Sequence, residues 1–257
     1  MSKKIEFKRS DLGIYVWTSN KNMQCLPAWA YLFNKFWPYK ASVKVLGYST
    51  PSFQLPDNFE FISLGIQRGP KYWSDDMYDF YNSCEHDYFY SMWEDGFIID
   101  NVDSEILDLA IKVAVTNKDN KFFRFNLSLD TYRRRHTVVK KFEDYDVILA
   151  SQNTMYRQST QHSIWSREKF LKKLKNKQSP WEFELDNESS MNDGLMVFAT
   201  KRKHAIKMGH GYRQGKRIPF WYDEHSGCRE IEPNTGAYLC EEDIKFIESN
   251  GWMPEEL

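Results

Sequence analysis

The sequence lacks several features that would assign it at once to a class of protein. Its four cysteines (Cys25, Cys84, Cys228 and Cys240) include no C-x-x-C pair, so a zinc knuckle or a dithiol redox centre has no support. Neither sign of charge dominates, since 35 basic residues stand against 36 acidic ones, which excludes a uniformly polycationic chain. No apolar run has membrane-spanning length, and residues 1–9 lack the apolar centre of a signal peptide. We therefore expect a cytoplasmic protein without a membrane partner.

Aromatic and apolar residues are abundant, at 16% and 41% of the chain, so folding should bury a sizeable core. Strand-like segments such as residues 13–17, 88–93 and 204–208 alternate with helix-like segments such as residues 27–37 and 103–115. This alternation predicts an α/β fold with a mostly parallel sheet flanked by helices. No repeat or linker rich in Gly, Ser or Pro divides the chain, which favours a single domain. Ligands of such sheets bind outside the carboxyl ends of the strands.

Two adjacent carboxylates, Glu94 and Asp95, directly follow the predicted strand at residues 88–93. Removing such ions from water costs several kcal/mol unless a partner compensates. A divalent cation that bridges a substrate diphosphate would be such a partner, and oxygen ligands suit Mg²⁺ or Mn²⁺. Because alternate residues of a strand point in opposite directions, we expect only one of the two to meet the metal directly. A solvated Glu-Asp-Gly turn explains the same residues equally well.

The segment Ser179-Pro-Trp-Glu182 predicts a helix that begins with a capping box, in which Ser179 is the N-cap. Capping alone explains Glu182, and the residue pattern without context favours that role. The alternative is catalytic, because a carboxylate near a helix N-terminus is suited to deprotonate an acceptor hydroxyl. Glu184 lies about 200° further around the helix, so the two carboxylates cannot share one face.

Basic residues concentrate in three parts of the chain, residues 133–141, 169–177 and 201–217. The third part contains three glycines and no acid, so it predicts a loop that passes close to phosphate groups. A solvated charged face is the plainer explanation of each cluster. Together the clusters indicate segregated charge and a polyanionic partner. The residues expected to contact a nucleic acid are Arg133, Arg134, Arg135, Lys201, Arg202, Lys203, Arg213, Lys216 and Arg217.

Read together, these segments resemble a family of GT-A-like glycosyltransferases found in bacteria and their phages. The likeness is carried by Tyr15-Val-Trp-Thr-Ser19, Ala30-Tyr-Leu-Phe-Asn34, Trp37, Gly47-Tyr48, Pro51-Ser-Phe-Gln-Leu-Pro56, Asn58-Phe59, Ser63-Leu-Gly65, Trp73-Ser-Asp75, Glu94-Asp95, Gln161, Ile164-Trp165 and Pro180-Trp-Glu-Phe-Glu184. It implies a single-domain GT-A-like fold, with a core at about residues 13–220 and a C-terminal extension at 221–257. It also implies a nucleotide-sugar donor, a divalent cation as cofactor, and the host cytoplasm as location if a phage encodes the chain.

The resemblance assigns roles to individual residues near the donor. Thr18 and Ser19 would lie beside the nucleotide, and His210 would be a further ligand of the metal or the diphosphate. Glu94-Asp95 would replace the Asp-x-Asp metal motif, from which it departs because its carboxylates are adjacent. Ser163 stands where the family leads us to expect glycine. The other substrate-binding candidates are Trp73 (a ring for stacking on sugar or base), Gln161, Trp165 and Trp181.

For the chemical step, Trp181-Glu182 resembles the acidic motif that supplies the base in inverting members of the family. The predicted catalytic residues are therefore Glu182, Glu184 and Asp95, with Glu182 favoured over Glu184 as the base. Some phage members resemble enzymes that glycosylate hydroxymethylated cytosine in DNA, and the basic clusters fit that acceptor. One alternative function is a glycosyltransferase that acts on a saccharide acceptor. The other is a nucleic-acid-binding protein that keeps the fold and has lost catalysis.

Overall fold

The computed structural model describes residues 12–117, 120–128, 135–213, 216–222 and 239–253, which contain a nine-stranded and a three-stranded sheet. The strands are β1 (Leu12–Trp17), β2 (Val43–Gly47), β3 (Phe59–Ser63), β4 (Tyr88–Trp93), β5 (Gly96–Ile98), β6 (Phe122–Asn126), β7 (His136–Lys141), β8 (Asp146–Ala150), β9 (Ser163–Ser166), β10 (Met196–Lys201), β11 (Met208–Arg213) and β12 (Lys216–Tyr222). The α-helices are α1 (Leu26–Phe36), α2 (Trp73–Asn82), α3 (Ser104–Thr116), α4 (Arg167–Lys173), α5 (Pro180–Leu185), α6 (Asn187–Ser190) and α7 (Glu241–Ser249).

The large sheet has the strand order β3-β2-β1-β4-β9-β6-β10-β8-β7. Only β8 and β9 run antiparallel to both of their neighbours, so all other strands of this sheet point in one direction. The predicted α/β class, with a mostly parallel sheet flanked by helices, is confirmed. The division into a core and an extension at residue 220 stays a prediction.

The core lies on both faces of this sheet because side chains alternate along each strand. In β1, Ile14 and Val16 belong to the cluster that includes the buried residues of α1 and α3. Tyr15 and Trp17 belong to a second cluster, packed with residues of α2, α4 and α5. Helices therefore cover both faces, and a ligand can approach the sheet at the ends of its strands.

Helix α3 shows how local sequence sets an element boundary. The side chain of Asp103 accepts hydrogen bonds from the backbone N–H groups of Glu105 and Ile106, each at 3.0 Å, which makes it the N-cap of this helix. The predicted strand at residues 204–208 is wrong, because the strand there is β11 and begins only at Met208. Within the described ranges, no helix combines the length and the apolar composition needed to cross a membrane.

Candidate active site at the carboxyl ends of β1 and β4

A cavity of about 490 Å³ lies where the strand order of the large sheet changes direction. Strands β1 and β4 are parallel neighbours, and their last residues, Trp17 and Trp93, are paired in register. The chain continues from β1 to β2 on one side, whereas β4 lies on the other side. In open α/β sheets, ligands bind in the crevice at such a switch point. The residues after β1 (Thr18 and Ser19) and after β4 (Glu94 and Asp95) line this cavity.

Glu94 is a buried carboxylate with an incomplete set of hydrogen-bond partners. Its side chain is fully buried, and Oε1 accepts the Ser19 backbone N–H at 3.4 Å. Its Oε2 has no partner among the described residues. Burial, together with the neighbouring Asp95 charge, raises the pKa of Glu94 well above its ordinary value. A buried oxygen in this state calls for a partner, which a bound cation or ligand would supply.

Asp95 is half-buried in the same cavity, close to His210. Burial raises the pKa of Asp95, and the charge of His210 acts in the opposite direction. His210 is brought here by the small sheet, in which it pairs with Gly96 of β5. Both Glu94 and Asp95 line one cavity because β4 ends at Trp93, so the opposite-facing geometry expected of adjacent strand residues does not apply to them.

The two carboxylates suit a cation that completes its shell with ligand oxygens. Among the described residues, no three His, Cys, Asp or Glu side chains form a ready-made metal cluster. Mg²⁺ is commonly held by one or two carboxylates together with substrate phosphates, and Mn²⁺ shares the preference for oxygen ligands. The unpartnered oxygen of Glu94 and the neighbouring carboxylate of Asp95 fit such an ion.

The β1 side of the cavity carries residues that the sequence interpretation missed. Lys21 lines the cavity and has no carboxylate partner within the described part of the chain. Gln67 also lines it, and its Oε1 accepts the backbone N–H of Asn20 at 3.1 Å. Gln67 lies in a loop with Gly65 at φ 90° and Gly69 at φ 104°, backbone angles that L side chains rarely adopt. Lys21 therefore gives this wall of the cavity a positive charge.

Aromatic rings form the base of the cavity. The Trp17 ring centroid lies 5.7 Å from that of Trp73 and 5.3 Å from that of Trp93. Trp73 is only 4% exposed, so its ring is part of the wall with little face left for stacking. Trp165 is fully buried between the rings of Phe123 and Phe170, and supports the sheet beneath the site.

The loop between β8 and β9 completes the lining on the α5 side. Gln161 lines the cavity, and its buried Oε1 has no hydrogen-bond partner among the described residues. Ser163, where glycine was expected, is buried, donates to the Gln161 carbonyl at 2.7 Å and accepts from Arg124 at 2.5 Å. The serine therefore fixes the backbone that carries Gln161.

Helix α5 separates the two glutamates that the sequence offered as bases. Glu182 completes the capping box, in which its Oε2 accepts the Ser179 N–H at 2.8 Å and its own N–H donates to Ser179 Oγ at 3.3 Å. The hydrogen bond that the Ser179 backbone donates to this carboxylate lowers the pKa of Glu182, whose side chain is exposed outside the cavity. Glu184 lines the cavity, and the indole of Trp181, 64% exposed, lies at its rim. The geometry thus favours Glu184, the reverse of the expected ranking.

In the folded protein, carboxylates lie next to most of the basic side chains of the three clusters. Most of their described lysines and arginines form ion pairs: Arg202 with Asp146, Lys203 with Asp103 and Asp144, Lys207 with Asp100, Arg217 with Glu248, Lys169 and Lys172 with Glu168, Lys173 with Asp193, and Lys175 with Asp186. Lys201 ends β10, and Arg135 donates to the Asn153 carbonyl at 3.0 Å. Arg133, Arg134 and the side chains of Arg213 and Lys216 lie outside the described part. Charge that is clustered in sequence is therefore largely neutralised in the described structure.

Comparison with known proteins adds little to this geometry. No family model matches the chain, and no curated protein matches it. Among solved structures it is similar to a cytidylyltransferase from Leptospira borgpetersenii serovar Hardjo-bovis, with a TM-score of 0.45 and 14% identity over 96% of this chain and 98% of that chain. It is also similar to A197 from STIV, with a TM-score of 0.40 and 12% identity over 80% of this chain and 89% of that chain. Likenesses this distant carry no information about activity.

Proposed function

We propose that the protein is a glycosyltransferase that moves a sugar from a nucleotide-sugar donor to an acceptor hydroxyl. The observation that carries the proposal is the make-up of one cavity at the switch point. It has an incompletely paired acidic couple, Glu94 and Asp95, on one side and a hydrogen-bonded carboxylate, Glu184, on another. Its volume of about 490 Å³ falls within the range of small-ligand sites.

The donor diphosphate would lie between β1 and β4. Lys21 would offset its negative charge, and Thr18 and Ser19 would lie beside the nucleotide. Glu94 and Asp95, with His210 nearby, would hold Mg²⁺ or Mn²⁺ against the phosphate oxygens. When bound, such an ion would stabilise the negative charge that develops on the departing diphosphate.

Glu184 would act as the general base for the acceptor. It would take the hydroxyl proton while the acceptor oxygen forms a bond to the anomeric carbon of the sugar. The bond from that carbon to the diphosphate oxygen breaks, and its electron pair leaves with the diphosphate. A single displacement of this kind inverts the anomeric configuration, because the new bond forms opposite the bond that breaks.

As acceptor we propose hydroxymethylated bases in DNA. Within the described residues, Lys140 and Lys141 of edge strand β7 have no carboxylate partner, and they follow the segment that contains Arg133 and Arg134. The ion pairs of the other clusters favour a second candidate, a saccharide acceptor. For that candidate the exposed indole of Trp181 would offer a stacking face at the rim of the cavity.

A screen of nucleotide sugars against hydroxymethylated DNA, unmodified DNA and saccharides, followed by mass spectrometry, tests both parts of the proposal. Transfer to hydroxymethylated DNA alone would support both. Transfer to saccharides alone would retain the reaction and remove the DNA acceptor. If no donor gives transfer and no nucleotide sugar binds, the chain is better explained as a nucleic-acid-binding protein that lacks catalysis.

A further inference from the structure

Glu184 is held by a small network of hydrogen bonds that also reaches β4. Its Oε1 accepts the backbone N–H of Thr160 at 2.5 Å, the hydroxyl of the same threonine at 2.7 Å and the Ser159 hydroxyl at 3.4 Å. The Thr160 hydroxyl in turn accepts the indole N–H of Trp93 at 2.8 Å. Trp93 directly precedes Glu94, so the network connects the two acidic sides of the cavity.

The direction of each hydrogen bond in this network is fixed by its chemistry. An indole N–H can only donate, so Thr160 Oγ1 must accept from Trp93. The single hydroxyl proton of Thr160 is then free to donate to Glu184. With three donors on Oε1 and none on Oε2 among the described residues, the carboxylate is oriented as an acceptor, and Oε2 is the atom left to take a proton.

We propose that Thr160 is the positioning residue of the transfer reaction. It holds Glu184 through one backbone and one side-chain donor, and is itself held by Trp93. Thr160 lines the cavity and is only 3% exposed. Water therefore has little room to take over the hydrogen bond of its hydroxyl when that hydroxyl is removed. This inference rests on the proposed role of Glu184 as the base, and adds a residue that neither sequence pattern nor helix position indicated.

The decisive variant is Thr160→Val, which keeps the side-chain shape and removes the hydroxyl. We expect kcat to fall about 10- to 100-fold with the donor KM unchanged, since small displacements of a reacting group reduce rates on that scale. Thr160→Ser restores the hydroxyl and should recover kcat to within about threefold of wild type. Thr154→Val is the matched control, because Thr154 is 4% exposed and its hydroxyl donates to the Arg135 carbonyl at 3.3 Å, away from the cavity. It should leave kcat unchanged.

The outcomes separate the inference from the proposed function. If Glu184→Gln removes transfer and Thr160→Val retains wild-type kcat, the inference is overturned and the function stands. If Thr160→Ser fails to recover kcat, the hydroxyl is not the positioning group. A wild-type chain without transfer would overturn the function. The indole N–H signal of Trp93 in ¹H–¹⁵N NMR spectra then tests the network directly, since it should move in Thr160→Val and not in Thr160→Ser. An unmoved signal in Thr160→Val would overturn the network as well.

Discussion

Two buried ionisable side chains in this molecule, Arg157 and Glu94, have opposite surroundings. Arg157 is fully buried, and its guanidinium donates to the carbonyls of Ala150, Ser151, Ser190 and Leu195 and to the carboxylate of Asp193, at 2.6 to 3.3 Å. Glu94 is equally buried, yet its Oε2 has no partner among the described residues. A buried group whose hydrogen bonds are satisfied by the protein holds the fold together. Glu94 keeps one oxygen without a partner at the wall of a cavity, and we interpret it as a ligand-binding group.

Replacing Arg157 should give the largest loss of stability. Arg157→Met puts an apolar side chain of similar length in place of the guanidinium. It removes one donor from each of four backbone carbonyls and breaks the ion pair with Asp193, so we expect the free energy of unfolding to fall by about 3–5 kcal/mol. Urea unfolding measures the change. The nucleotide affinity of the folded protein should be unaltered. A loss below about 1 kcal/mol would remove the contrast with Glu94, because the guanidinium would then not support the fold.

The two glutamates of α5 provide the same contrast at the level of catalysis. Glu184→Gln should reduce kcat by about 10²- to 10⁴-fold at an unchanged melting temperature, because a positioned general base contributes that much. Glu182→Gln should be almost silent, since glutamine can also complete a capping box with Ser179. Steady-state rates of both variants decide the assignment. A severe Glu182→Gln with a mild Glu184→Gln would show that the helix supplies its base from the other face.

Replacing Glu94 with glutamine should stabilise the protein and, at the same time, impair its catalytic activity. Burial raises the pKa of Glu94, so the folded state binds its proton more tightly than the unfolded state does. The free energy of unfolding of wild type should therefore fall as the pH rises above the unfolded pKa of about 4.5. Glu94→Gln lacks this titration, and we expect it to be about 1–3 kcal/mol more stable than wild type at pH 8. Equal stability of the two proteins from pH 4 to pH 8 would show that Glu94 already has adequate partners.

The smallest effect is expected on the basic surface. Lys203 is paired with both Asp103 and Asp144 and is half exposed, so Lys203→Ala should lower the free energy of unfolding by no more than about 1 kcal/mol. If Lys203 contacted a nucleic acid, the same variant would also reduce the slope of log K against log salt by about one unit. A changed slope with DNA would restore this cluster as a nucleic-acid surface despite its ion pairs.

Local sequence signals predicted much of the fold. The end of β4 at Trp93, the Asp103 cap and the Ser179 capping box all follow from residues within a few positions of one another. The α/β class follows from the alternation of strand and helix patterns along the chain. These features depend on short-range rules, which a sequence displays directly.

The candidate site was only partly predictable, because its composition depends on distant pairings. His210 comes close to Asp95 through the pairing of β11 with β5, strands that are more than 100 positions apart. Thr160 meets Glu184 through a loop that has no helix or strand pattern. The ion pair of Lys203 with Asp103 also joins residues that are far apart in sequence, which is why a basic run looked like a basic surface.

The central claim is that the cavity beside Glu94 and Asp95 binds a nucleoside diphosphate together with a divalent cation, and thermal unfolding tests it most directly. Wild type is compared with Glu94→Gln in the presence of UDP, GDP or CDP, with and without Mn²⁺. The account predicts that one diphosphate together with Mn²⁺ raises the melting temperature of wild type. At a hundredfold excess of ligand over Kd, binding should add about 2.7 kcal/mol to the free energy of unfolding. The account also predicts that neither component alone does so, and that Glu94→Gln does not respond. An equal response of Glu94→Gln, or no response of wild type to any of the three nucleotides, would contradict it.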